Sequence, residues 1–132
     1  MGSNMSTYTI NVQTIRFLLL FEAATFAAAA LIHFGVIAAG HGHQKAGVAE
    51  SAIAAVLFIG AILTCLSRTW TRGIGLAAQA FALIGTLVGV FTIIIGIGPR
   101  TEPDIAYHVA IVAVLIWGLV AAARSPTGDA VL

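Results

Sequence analysis

Long apolar runs separated by short polar connections dominate the chain. The runs cover residues 15–39, 46–66, 73–97 and 103–123. Each is long enough for a helix that crosses the hydrocarbon core of a bilayer, which takes about 20 residues. The connections GHGHQK, SRTWTR and GPRTEP are short, and short connections join antiparallel helices. The pattern therefore predicts an all-α integral membrane protein, an up-down-up-down four-helix bundle that forms a single domain over residues 1–132.

Helix signals and cations add detail to this prediction. Thr101, followed by a proline and two acidic residues, is a good start signal for the fourth helix. By the positive-inside rule, both termini are predicted in the cytoplasm. The cations behind this prediction are Arg16, Arg68, Arg72 and Arg124 on one side, and Lys45 and Arg100 on the other. A cleaved signal peptide is the alternative for the first run, but no cation precedes Arg16 and the run continues past the alanines of FAAAA.

Composition supports the membrane class. Hydrophobic residues make up 60% of the chain and charged residues 8%, whereas soluble domains carry about 25% charged residues. The net charge of +1 gives no reason to expect nucleic acid as a partner, and the lipid bilayer is the expected one. The single cysteine, Cys65, is expected to be a small buried apolar residue. Residues 1–4, which precede a second methionine, are interpreted as the remnant of an expression tag.

Ionisable residues inside the apolar runs are concentrated at one end of the predicted bundle. Each charged side chain at membrane depth costs roughly 3 kcal/mol or more, so such residues suggest a function. His33 lies seven residues before Gly40 and His108 seven residues after Thr101, so both reach a depth of about 10 Å. Glu50 enters the second helix about one turn shallower. Three helices are thus expected to bring two imidazoles and a carboxylate into one outer layer.

This set of side chains predicts a metal site near the outer, periplasmic face. Imidazole and carboxylate groups are suitable ligands for zinc, copper or iron. We expect His33, Glu50 and His108 to bind the metal, with His41 and His43 of the first connection as further donors. Asp104, one turn before His108, and Tyr107 are expected to contact the ligand side chains and orient them without binding the metal. No compact metal-binding motif is present, so the prediction depends on inferred depth.

Three other interpretations use the same residues. In the first, His33 and His108 only hydrogen-bond to Glu50 or Asp104 and fix the register of the helices. In the second, His33 and His108 are the axial ligands of haem b, and Gly89 and Gly96 leave room for the macrocycle. In the third, the protein is a non-enzymatic lipid- or quinone-binding protein, or an accessory subunit of a membrane complex. No nucleophile–base pair or phosphate-binding loop indicates an enzyme.

A second polar layer is predicted near the cytoplasmic side. Glu22 lies six residues after Arg16, and Gln79 lies seven residues after Arg72, so the two side chains reach similar depths. We expect them to form an inner polar pair in which Glu22 is either protonated or hydrogen-bonded, because an unpaired buried carboxylate is costly. In the third run, Gly85 and Gly89 favour close packing inside the bundle over a homodimer interface.

One stretch resembles a known group of proteins. The residues from Gly96 to His108 follow the pattern GxGPRTxPDxxYH. They resemble small bacterial four-helix membrane proteins. The resemblance implies the architecture and a location in the bacterial cytoplasmic membrane, and it implies no activity.

Overall fold

In the computed structural model, the backbone is described for residues 2–126 and the side chains for residues 12–126. This part of the chain contains four helices: α1 (Gly2–His33), α2 (Gln44–Leu66), α3 (Thr71–Ile94) and α4 (Glu102–Arg124). All four are long and apolar enough to cross a membrane, α1 through its segment Val12–His33. The prediction of an all-α chain with four helices of membrane-spanning length is confirmed. The predicted tag remnant at residues 1–4 lies outside the residues whose side chains are described.

The helices end earlier than the apolar runs do. α1 ends at His33, six residues before the predicted run ends, and α3 ends at Ile94, three residues before. A glycine in the left-handed region follows each end, Gly35 with φ +75° and Gly96 with φ +83°. Only glycine adopts such a conformation readily, and it commonly terminates a helix. The apolar residues beyond these glycines therefore lie in turns.

Two side chains cap the helices that carry the ionisable residues. Thr101 and Asp104 form a reciprocal capping box at the start of α4, in which the Thr101 hydroxyl accepts from the Asp104 N–H. This arrangement confirms the predicted start of the fourth helix. At the start of α2, the His43 ring takes the same role, because its Nδ1 accepts a hydrogen bond of 3.3 Å from the Ala46 N–H.

The core lies along α1, which packs against each of the other three helices. Phe26, Leu57 and Leu115 are among its fully buried side chains, and alanines fill much of the remaining space. The predicted internal role of the α3 glycines agrees with their surroundings. A Cβ atom at Gly85 would lie 2.9 Å from Ile53, and one at Gly89 would lie 3.2 Å from the His108 ring. Both glycines therefore face neighbouring helices of the same chain.

Cys65 departs from its prediction, because the structure places it on the exposed surface of α2. Its neighbour Thr64 is fully buried and donates a hydrogen bond of 2.7 Å to the Ala61 carbonyl. Adjacent helical positions lie about 100° apart around the axis, so α2 turns Thr64 inwards and Cys65 outwards.

We expect the capping box to make a measurable contribution to the stability of the protein. Replacing Thr101 by alanine removes the hydroxyl that accepts from the Asp104 N–H, and the loss of such a cap costs about 1 kcal/mol. Thr101→Ser is the matched control, because it retains the hydroxyl. The thermal unfolding midpoint in detergent should fall for Thr101→Ala and stay close to wild type for Thr101→Ser. Equal midpoints for the two variants would show that the box contributes nothing.

Candidate functional site

His33 lies between two carboxylates that come from two other helices. Its Nδ1 lies 2.7 Å from Glu50 Oε2 on α2, and its Nε2 lies 3.1 Å from Asp104 Oδ1 on α4. The His33 side chain is 4% exposed and the Glu50 residue 5% exposed. We call this group of three residues the His33 clasp. Its two hydrogen bonds need two protons, which an imidazolium supplies by itself and a neutral ring supplies with one protonated carboxyl.

The second predicted ligand, His108, does not join the clasp. Its Nδ1 lies 2.7 Å from the main-chain carbonyl of Asp104, one turn earlier on α4. Asp104 thus contacts His108 through its backbone, whereas its carboxylate contacts His33. The opposite ring nitrogen, Nε2, faces Gly89 on α3. No group among the described residues hydrogen-bonds to this nitrogen.

The two loop histidines have separate positions. The His43 ring lies with its centroid 6.4 Å from that of His33. Both of its nitrogens are used, because Nδ1 caps α2 and Nε2 donates to the Ile97 carbonyl at 3.2 Å. His41 is exposed and lines a groove on the side of the bundle where Tyr107 lies. The Tyr107 hydroxyl donates to the Thr25 hydroxyl at 3.4 Å, so it does not contact a histidine nitrogen.

These positions do not form a ready-made metal centre. Within residues 12–126, no group of three or more histidine, cysteine, aspartate or glutamate side chains is arranged to hold a metal ion. Both nitrogens of His33 lie at hydrogen-bonding distance from carboxylates, and the His108 Nε2 lies 3.2 Å from the position of a Cβ atom at Gly89. The metal site and the haem site both remain predictions.

Cavities lie on two sides of the His33 clasp. The first, which we call the α2–α3 cavity, has a volume of about 180 Å³. Most of its lining is apolar, with Phe26, Ile53 and Val88 among the residues, and its polar lining residues include His43, Glu50, Thr86 and His108. The second, the α1–α4 cavity, has a volume of about 460 Å³ and is lined in part by Thr25, His33, His41, Asp104 and Tyr107. Glu50 therefore faces one cavity, and its hydrogen-bonding partner His33 faces the other.

The inner polar pair is joined by a hydrogen bond of 2.7 Å from Gln79 Nε2 to Glu22 Oε2. Glu22 is completely buried and Gln79 is 1% exposed. The Oε1 atoms of both residues are buried without a hydrogen-bonding partner in the described part of the chain. Both are acceptors when Glu22 is ionised, so a neutral Glu22 carboxyl supplies the donor that the pair lacks.

Sequence reasoning missed two contacts between helices. A Cβ atom at Gly118 on α4 would lie 2.5 Å from Gln79 Nε2, so the absence of a side chain there makes room for the Gln79 amide. Nearby, Arg16 donates a hydrogen bond of 2.6 Å to the Thr64 carbonyl in the last turn of α2. A cation is favourable at a helix C-terminus. Neither contact has a sequence signal, because each depends on how two helices are rotated against each other.

Comparison with known proteins does not assign a family to this chain. The chain was compared with protein-family models, with curated proteins and with solved structures, and no match was found in any of the three.

We expect Glu22 to tolerate an amide but not an apolar side chain. In Glu22→Gln, the new amide accepts from Gln79 Nε2 and donates to its Oε1, so stability should stay close to wild type. In Glu22→Leu, the buried Gln79 amide loses its partner, which costs about 1–3 kcal/mol. Reversible unfolding by denaturant in detergent micelles would measure the difference. If both variants are equally stable, the hydrogen bond between Glu22 and Gln79 makes no contribution.

Proposed function

We propose that this protein is an integral membrane protein that binds a small, largely apolar molecule of the quinone or lipid class in the α2–α3 cavity. One observation carries the proposal. The cavity has a mostly apolar lining, and two of its buried residues, His108 and Glu50, each retain a hydrogen-bonding atom without a protein partner among the described residues. Apolar walls with a few polar groups are typical of sites for small molecules.

The volume indicates the size of the ligand. An apolar cavity of about 150 Å³ accepts a benzene molecule. The α2–α3 cavity, at about 180 Å³, therefore has room for one six-membered ring with small substituents. A longer tail has to extend out of the cavity. A quinone-type ring and the head of a small lipid both meet this description.

Within this proposal, His33 holds the site together without contacting the ligand. Both His33 nitrogens are engaged, and one of them fixes the Oε2 atom of Glu50. Glu50 is thereby held in one orientation, with its Oε1 atom unpaired in the described structure. This combines two of the interpretations drawn from the sequence, in which the histidines fix the helices and a pocket binds a lipid or quinone.

We also propose the placement of the chain in the bacterial cytoplasmic membrane, as four antiparallel spans with both termini in the cytoplasm. Large apolar side chains are exposed on all four helices, among them Phe17, Phe58, Phe91 and Trp117. Such a surface suits lipid and would be a liability in water. The arginine distribution supports the orientation. The α2–α3 cavity then opens in the periplasmic half of the bilayer.

Cysteine labelling tests the orientation. In a Cys65→Ala background, a cysteine introduced at Gln44 should react with a membrane-impermeant maleimide from the periplasmic side of sealed vesicles. The matched control is a cysteine introduced at Thr69, in the next connection, which should react only from the cytoplasmic side. The opposite labelling pattern would reverse the proposed topology, and labelling of both from one side would refute the antiparallel arrangement.

Ligand binding tests the proposed function itself. Butylhydroquinone, titrated calorimetrically into detergent-purified protein, should bind to wild type and at least tenfold more weakly to Gly89→Leu. The new side chain projects from the cavity lining against the His108 ring, whose Nε2 lies 3.2 Å from the Cβ position. Gly73→Leu is the control, because a side chain there meets nothing within 4 Å. Ala49→Leu fills the cavity from α2 and guards against a folding defect in the first variant. Equal affinity in all four proteins would rule out this cavity as the binding site.

The same preparation decides between this proposal and the two cofactor hypotheses. Elemental analysis detects stoichiometric zinc, copper or iron, and an absorption spectrum detects the Soret band of haem. A bound metal that is lost in both His33→Ala and His108→Ala would replace the proposed function with the metal site. A Soret band that disappears in the same two variants would replace it with the haem site.

A further inference from the structure

We infer that the α2–α3 cavity selects a ligand that donates a hydrogen bond, such as a phenol, a hydroquinone or an alcohol, over an ether or a hydrocarbon of the same shape. The inference rests on the proposed function and specifies its ligand class. Within the quinone class it points to the reduced hydroquinone form, because an oxidised quinone ring has no hydrogen-bond donor. It follows from the hydrogen-bonding state of the three buried polar residues of the lining, His108, Glu50 and Thr86.

The position of the His108 proton comes from its partner. The Asp104 carbonyl, 2.7 Å from Nδ1, can only accept a hydrogen bond, so Nδ1 carries the proton. In the neutral ring, Nε2 then presents a lone pair. This nitrogen faces Gly89, which lines the α2–α3 cavity, and is 3.2 Å from the point where a Cβ atom would stand. His108 therefore offers the cavity an acceptor.

Glu50 offers a second acceptor. The proton in its hydrogen bond with His33 lies between Nδ1 and Oε2, which are 2.7 Å apart. Whichever of these two atoms holds that proton, Oε1 keeps its lone pairs. It is buried without a partner among the described residues, on a side chain that lines the cavity.

The remaining polar groups of the lining are consistent with this picture. The Thr92 hydroxyl donates to the Gly89 carbonyl at 2.7 Å. The Thr86 hydroxyl donates to the Ala82 carbonyl at 2.7 Å, so its oxygen faces its surroundings as an acceptor. The Nε2 proton of His43 is already donated to the Ile97 carbonyl. Lys45 also lines the cavity, but it is exposed rather than buried. The buried part of the lining thus lacks a free hydrogen-bond donor, which a ligand hydroxyl would supply.

A site built from acceptors discriminates strongly against a ligand without a donor. Such an analogue leaves buried lone pairs unpaired, and sites that hydrogen-bond a ligand hydroxyl reject analogues lacking it far better than apolar sites reject an extra methylene. A divalent cation would satisfy the same lone pairs, so the experiment has to separate the two.

Three probes of nearly the same shape test the inference by calorimetry on the full chain in detergent. Para-butylphenol donates a hydrogen bond, para-butylanisole only accepts one, and para-butyltoluene does neither. The phenol should bind at least tenfold more tightly than either of the other two. In His108→Phe, which keeps a ring but removes one of the acceptors, this preference should fall clearly while the toluene still binds. His41→Phe, in the exposed loop, should behave as wild type.

Each other outcome has a definite meaning. Equal affinities for the three probes, all lowered by Gly89→Leu, would overturn the donor preference and leave the proposed binding function standing. No binding of any probe would remove the proposed function and this inference with it. Zinc that competes with the phenol at stoichiometric concentration would identify a cation site and overturn the inference. If His108→Phe does not fold, Thr86→Val provides the second measurement and should also reduce the preference.

Discussion

A single imidazole shared by two carboxylates is the contact on which the arrangement of the polar residues depends. His33 joins α1 to Glu50 on α2 and to Asp104 on α4. Removing one partner of a buried hydrogen bond leaves the other partner unsatisfied, which costs about 1–3 kcal/mol. The shared ring therefore strongly favours one register among three helices. That register in turn holds Glu50 against the α2–α3 cavity, so the geometry of the cavity wall follows from the clasp.

Polar side chains inside this bundle need space as well as hydrogen-bonding partners, and glycines on neighbouring helices provide that space. Gln79 fits against Gly118, and the His108 ring fits against Gly89. Where the hydrophobic effect does not drive helices together, small residues allow the close approach on which packing and interhelical hydrogen bonds depend. Bulky side chains such as Phe58 and Phe91 are left on the outside. The interior thus combines alanine packing with a few well-seated polar groups.

Depth along the helices could be predicted from the sequence, but rotation about their axes could not. Counting residues from the connections brought His33 and Glu50 to one layer, and the Thr101 signal correctly marked the start of α4. Rotation decides which atoms meet. In helices that are apolar nearly all the way round, the sequence gives little indication of which face is buried. The Asp104 carboxylate consequently turns to His33 instead of His108, and Cys65 faces outwards. The ends of α1 and α3 were predicted from where the apolar runs stop, but Gly35 and Gly96 terminate these helices inside apolar sequence.

Asp104 links two structures that are usually independent. Its Oδ2 atom accepts from the Thr101 N–H in the helix cap, and its Oδ1 atom contacts His33. A substitution at any one of Thr101, Asp104 and His33 alters the surroundings of the other two. The start of α4 and the centre of the clasp therefore form one mechanical unit, in which a change to the helix cap is transmitted to His33 through Asp104.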